Sequence, residues 1–190
     1  MKKHFRRLVA ISIVGMCFNA ILNANVGILS QFSAQNDNEW IGPLSIALNF
    51  LGSGLGALYN GYIGKYPYSR IIFVGGMGWN VFGSFSVIFL FFGFKDYING
   101  MIVAGSFICG LVASMFYSGI FNYVNECGRR DRQSNRYFGI NMCLFQTANL
   151  LGNALSAVMI EPLGQKVYSC VMLGLGVLIC STYLGFPSFN

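Results

Sequence analysis

Residues 136 to 160 read RYFGINMCLFQTANLLGNALSAVMI, with Gln146, Asn149, Asn153 and Ser156 recurring at intervals of three and four. On a helix these side chains fall within an arc of about 80°. An amide donates and accepts hydrogen bonds, so such a line suits two chemistries. It can bind a neutral or zwitterionic solute, or it can join one helix to another. Two more segments carry the same kind of stripe. Ser12, Gly15, Asn19, Asn23 and Gly27 share one helical face, as do Ser45, Asn49, Gly52, Gly56 and Asn60. Within the second, Gly52-x-x-x-Gly56 is a spacing that lets two helices approach closely. Gly110, Ser114, Ser118 and Asn122 form a broader small-residue face.

Other chemistries lack their parts. The six cysteines form no C-x-x-C pair and read as small apolar packing residues. The single histidine, His4, stands in a basic segment with no second imidazole or carboxylate cluster near it, so neither a metal site nor a cofactor is expected. There is no nucleophile–base pair, no phosphate loop and no pair of carboxylates at membrane depth. The glycine clusters GSGLG and VGGMG are better explained by close packing. No catalytic residue is assigned, and an enzyme is not expected. No ionisable residue sits near the middle of an apolar run, which argues against proton-coupled transport.

The elements that carry these residues are set by hydrophobicity. The chain has 190 residues, 55% hydrophobic and 9% charged, far below the charge content of soluble domains. Its apolar residues form six runs of about 20, the length that crosses a hydrocarbon core about 30 Å thick. They are Leu8–Ser30, Ile41–Asn60, Ile71–Phe92, Asn99–Asn122, Phe138–Ile160 and Val167–Phe186. A membrane barrel would show ten-residue segments of alternating polarity. Continuous runs twice that length predict helices, whose backbone groups are satisfied internally. The expectation is an all-α polytopic membrane protein, a single six-helix domain over residues 1–190, with nothing left for a soluble domain. Pro43 falls near the start of a span, where its missing N–H costs least.

Charge distribution sets an expected orientation. Of twelve Lys and Arg residues, ten fall on one side: Lys2, Lys3, Arg6, Arg7, Lys65, Arg70, Arg129, Arg130, Arg132 and Arg136. The other side has Lys95 and Lys166, with Asp37 and Glu39. By the positive-inside rule both termini face the cytoplasm, or the matrix of a mitochondrion. The apolar part of the first span is too long for a cleaved signal and lacks a small-x-small site, so it is expected to be an uncleaved span that also directs targeting. The lack of acids before Asp37 is compatible with a mitochondrial inner membrane, and a plasma or endomembrane location is equally open. Arg129, Arg130, Arg132 and Arg136 are expected to lie in a short loop against anionic headgroups, at about 1 kcal/mol each. With no reader domain beside them, a nucleic-acid partner is not expected.

The Phe138-Gly139-Ile140 start, the Phe145-Gln146 step, and the Gly152-Asn153 pair with Ser156 resemble the fifth span of the uncoordinated-93-like branch of the major facilitator superfamily. CFNAILNAN resembles that family's asparagine-bearing first helix, and NYVNE before a polar loop and RYFG falls in the matching order. GYIGKYPYSR keeps Gly61, Gly64, Lys65 and Arg70 of the family's gating loop but lacks its aspartate. The resemblance covers the N-terminal six-helix half of the facilitator fold. It implies an uncovered cavity face that meets either another integral membrane protein or a second copy. The expected function is a non-catalytic accessory or scaffold subunit, with Gly52, Gly56, Asn149 and Asn153 against neighbouring helices or lipid. On that expectation a bulky residue at Gly56 detaches the chain from its assembly. The alternative is a half-transporter that homodimerises and moves a small solute past Asn19, Asn23, Gln146 and Asn149. Asn49 shares the expected partner or cavity face.

Overall fold

Buried backbone amides have no water to turn to in lipid, and nearly all of the described residues are helical. The computed structural model describes residues 3–35, 40–63, 66–91 and 98–187. Its helices are α1 (Lys3–Gln35), α2 (Ile41–Ile63), α3 (Tyr68–Phe91), α4 (Ile98–Asp131) and α5 (Ser134–Thr182), followed by a 3-10 turn, Tyr183–Gly185. Lys2, Asp37, Glu39, Lys65 and Lys95 lie outside the described residues.

α5 is two rods in one. Pro162 lacks the N–H that would continue the ladder, and Gly164 adopts φ 70°, ψ 153°, a region essentially restricted to glycine. The break separates residues 134–163 from 165–182, the division expected from the sequence. Five stretches are long and apolar enough to cross a membrane: His4–Ala24, Ile41–Asn60, Asn99–Asp131, Ser134–Gly164 and Lys166–Gly185. α3 adds 24 residues, about 36 Å of helix at 1.5 Å per residue. The protein is an all-helical, polytopic membrane protein.

Burial ranks the helices. Half of the His4–Ala24 stretch is buried, against 17% of Ser134–Gly164, so α1 is internal and the first arm of α5 is peripheral. α1 packs on α5, while α2 and α3 both pack on α4. Where α1, α3, α4 and α5 converge, aromatic rings fill the centre. Phe18 lies 4.9 Å from Phe116, which meets Trp79 at 5.7 Å and Tyr183 at 5.8 Å. A smaller cluster of Ile21, Ala24, Tyr168 and Met172 joins α1 to the second arm of α5. The ring of Phe5 lies 5.7 Å from that of Tyr137, tilted by 58°, bringing the start of α1 beside the α4–α5 turn. The basic segments at those two places therefore share one end of the bundle.

That turn differs from expectation. α4 does not stop at Asn122 but continues to Asp131, so Arg129 and Arg130 belong to its last turn and Arg136 to the first turn of α5. Only Arg132 and Gln133 connect the helices. The extension has a local cause. Glu126 accepts from Arg129 at 2.9 and 3.0 Å and from Arg130 at 2.7 Å, at the i,i+3 and i,i+4 spacings that support a helix. The arginines also complement the negative end of the helix dipole. Arg132 then turns left-handed, φ 55°, and its N–H bonds Arg129 O at 3.2 Å while Gln133 N–H bonds Gly128 O at 2.8 Å. This is the Schellman closure, with arginine where glycine is usual. Tyr137 Oη donates to Asp131 at 2.5 Å across the turn.

An L-residue in the left-handed region carries a steric penalty that glycine escapes. Arg132→Gly is expected to stabilise the detergent-solubilised protein by roughly 0.5–1 kcal/mol, while Arg132→Val lowers its stability. Thermal melts of the two variants beside the parent read both signs.

Candidate functional site

The stripe on α1 is used inside the chain. Ser12 Oγ donates to Asn141 Oδ1 at 2.8 Å, and both residues are fully buried. Gly15 leaves room for the ring of Phe145, which a Cβ would approach to 3.0 Å. Tyr117 Oη donates to Asn19 Oδ1 at 3.2 Å, tying α4 to α1. One turn on, Asn23 Nδ2 donates to Asn149 Oδ1 at 2.7 Å. Ser156 Oγ, bonded to Ala24 O at 3.0 Å, closes the α1–α5 contact.

The stripe on α5 behaves differently. The side of α5 facing α1 is Asn141, Phe145, Ala148 and Gly152, all buried. A Cβ on Gly152 would come within 2.5 Å of Ala20 O, so the two backbones are close there. Gln146, Asn149 and Asn153 lie roughly 90° further round the helix and are exposed. Asn149 Nδ2 reaches Gln146 Oε1 at 3.3 Å, so Asn23, Asn149 and Gln146 form a hydrogen-bonded line. Leu150 and Val158, 74% and 72% exposed, share this outer part of the helix.

α2 turns its small residues inward and its large apolar ones outward, the expected arrangement in lipid. Gly52 packs on the Phe107 carbonyl, Gly56 on Ser114 and the Leu111 carbonyl, and Gly110 on the Asn49 carbonyl. Three bonds flank this seam with α4. Asn49 Nδ2 donates to Ser106 O at 3.4 Å, Ser53 Oγ to Gly110 O at 3.2 Å, and Asn60 Nδ2 to Ser114 Oγ at 3.3 Å. Gly52 and Gly56 are therefore occupied by α4 of their own chain. The outer face of α2 is Phe50, Leu51, Leu55 and Leu58.

α2 scarcely touches α1. Between them, floored by α3 and α4, lies a cavity of about 480 Å³. Asn23 and Asn49 reach it, together with Ser45, Ser53, Ser106 and Tyr117. Gln146, Asn149 and Asn153 do not line it; they belong to the outer face of α5. Arg129, Arg130, Arg132 and Arg136 are all exposed around the α4–α5 turn, forming one basic patch. Among the described residues, no group of three or more His, Cys, Asp or Glu is placed to hold a metal. Neither the cavity nor the amide line carries a charged side chain, so their chemistry is hydrogen bonding.

Several polar residues that matter here carry no stripe signal. Asn141 is isolated from the amide line in angle, and only its position four residues before Phe145 marks its face. Asn80 is fully buried, donates to Leu173 O at 3.1 Å, and packs against Gly176. That pairing of a large amide with a distant glycine is visible only in three dimensions.

Gly56→Leu is expected to break the α2–α4 seam rather than a contact with another protein, at about 3 kcal/mol. Gly54, with nothing within 4 Å of an added Cβ, should accept leucine with little change. Monodispersity and melting of the two purified variants separate these outcomes; a well-folded Gly56→Leu would contradict the packing described. Compared with known protein families, curated proteins and solved structures, the chain gives no match.

Proposed function

We propose that this protein is a non-catalytic accessory or scaffold subunit of a larger membrane protein assembly, docked through the outer face of α5. The observation that carries the reading is the line of exposed amides, Gln146, Asn149 and Asn153, in the middle of an apolar span. Each amide offers two donors and two acceptors. The bonds from Asn23 and between Asn149 and Gln146 satisfy only part of that capacity. Hydrocarbon offers no replacement, and an unmet polar group there costs several kcal/mol. A neighbouring helix with polar or small residues would meet it.

The second reading, a homodimeric half-transporter for a small neutral or zwitterionic solute, is favoured by the exposure of α2 and α5 together. Two copies related by a two-fold axis would bring their amide lines to a common path. In either reading both termini are placed on the cytoplasmic or matrix side, with Arg129, Arg130, Arg132 and Arg136 against anionic lipid.

The test is the mass and composition of the particle extracted from its native membrane in mild detergent. A particle containing other integral membrane proteins, lost when Gln146, Asn149 and Asn153 are all changed to leucine, supports the subunit reading. A two-chain particle with solute uptake in liposomes, abolished by Gln146→Leu, supports the half-transporter. A single-chain particle in the parent protein overturns both.

A further inference from the structure

The cavity between α1 and α2 has a hydrogen-bonding character that narrows what fits it. Its hydroxyls have already given away their protons. Ser53 Oγ donates to Gly110 O, Ser106 Oγ to Ile102 O at 2.7 Å, and Tyr117 Oη to Asn19 Oδ1. Cys109 Sγ points its proton at Trp79 O, 3.7 Å away. What these groups have left for the cavity is lone pairs. The exception is Ser45, whose Oγ is buried, lines the cavity and has no hydrogen-bond partner among the described residues. A buried hydroxyl left unpaired costs about 1–3 kcal/mol, so an orphan here points to a missing partner.

A ligand head that suits these walls donates to the lone pairs of the hydroxyls and accepts from Ser45 or from an amide N–H of Asn23 or Asn49. A hydroxyl does both. An ammonium cannot accept, and no carboxylate among the described residues lines the cavity to balance its charge. A carboxylate or phosphate would face mostly lone pairs, with no cation among the described lining residues. The remaining wall is apolar and largely aromatic, including Trp79, Phe82 and Phe50. Ile46 and Phe50, 49% and 72% exposed, stand at the rim, so the mouth is apolar. About 480 Å³ is within the range of small-molecule sites, roughly 300–1,000 Å³.

We propose that this cavity binds an uncharged, rigid lipid alcohol of sterol size, its hydroxyl among Ser45, Asn49, Ser53 and Ser106 and its ring body against Trp79 and Phe82. The ligand enters from the acyl-chain region past Ile46 and Phe50. The site meets the amide line on α5 only at Asn23, which bonds Asn149, and its other lining residues lie on α1 to α4 whatever covers the outer face of α5.

The experiment uses the full chain in phosphatidylcholine vesicles with a photoreactive sterol. Labelled peptides are mapped, and unlabelled sterol is compared with its 3-keto analogue as competitor. Labelling is expected on peptides of α1 to α4 that line the cavity, displaced by the 3-hydroxy sterol and weakly by the ketone. Gly83→Leu fills the cavity, since its Cβ would sit 3.5 Å from Cys109 Sγ, an ordinary contact. It should lower labelling about tenfold or more with melting unchanged. Ser45→Ala should weaken labelling by both ligands and leave the preference for the alcohol over the ketone in place, since only the alcohol can donate to the lone pairs of Ser53 and Ser106. Label confined to the outer faces of α2 and α5 would overturn the site, and so would full labelling of folded Gly83→Leu. Equal competition by the ketone in the parent protein would overturn the alcohol assignment. If Gly83→Leu fails to fold, the peptide map and the ketone comparison in the parent still decide.

Discussion

Backbone-to-backbone approach at α4 is the constraint on which the bundle depends. Lipid tails give helices no hydrophobic reason to associate, so contact must come from close packing and from polar groups that find one another. α4 supplies both. Gly110 admits the Asn49 carbonyl, while its own carbonyls at Phe107 and Leu111 fit against Gly52 and Gly56. On another side Gly75 of α3 lies against Phe116, where a Cβ would come within 2.5 Å of the backbone nitrogen. Tyr117 reaches across to Asn19 of α1. Helix α4 thus fixes α2, α3 and α1 by three different surfaces, and the gap between α1 and α2 is a result of that geometry. α2 is held so firmly to α4 that it does not close on α1.

The polar contacts divide into three kinds with different consequences. Ser12 with Asn141, fully enclosed, and the buried Asn80 with the half-buried Leu173 carbonyl fix the angular register of their helices. Rotating either helix would leave an amide unpaired in a medium that cannot solvate it. The contacts from Asn23 through Asn149 to Gln146 are open on one side. They hold α1 to α5 while leaving amide groups directed outward. The basic patch at the α4–α5 turn is a third case: Glu126 pairs with arginines on an exposed surface, where ion pairs add at most about 1 kcal/mol. Its contribution to the fold is local helix extension.

Helix existence was legible in the sequence because length and continuous hydrophobicity leave few alternatives in a membrane. Helix facing was only half legible. On α1 the stripe Ser12, Gly15, Asn19 points inward, because α1 is enclosed by α4 and α5. On α5 the same reasoning selects Gln146, Asn149 and Asn153, whereas the packed face is Phe145, Ala148 and Gly152 beside Asn141. Residue size, more than polarity, determined which side faces α1. On α2 size and polarity coincide, and Gly52 and Gly56, whose spacing reads as a close-packing pair, lie against α4 of the same chain. The extent of α4 was missed because a charged run resembles a loop. At i,i+3 and i,i+4 spacing the same charges prolong a helix. Of the cavity only Asn23 and Asn49 were marked in the sequence as facing a partner or a cavity; the space itself is left by helices far apart in sequence.

The bond between Ser12 and Asn141 joins residues 129 apart in the chain. During synthesis the first helix is therefore complete long before its partner exists. At typical elongation rates of about 5–20 residues per second, roughly 6–26 seconds separate the two residues. Over that interval Ser12 occupies a nascent span without its final acceptor, and Asn19 waits 98 residues for the hydroxyl of Tyr117. The helix with the most buried interior surface must remain a tolerable guest of the bilayer, or of whatever protein receives it, until α5 arrives. Its basic leading turn, from His4 to Arg7, is suited to holding that helix at the membrane surface in the meantime. The first segment made is thus among the last to be locked in place, and the order of manufacture runs opposite to the order of enclosure.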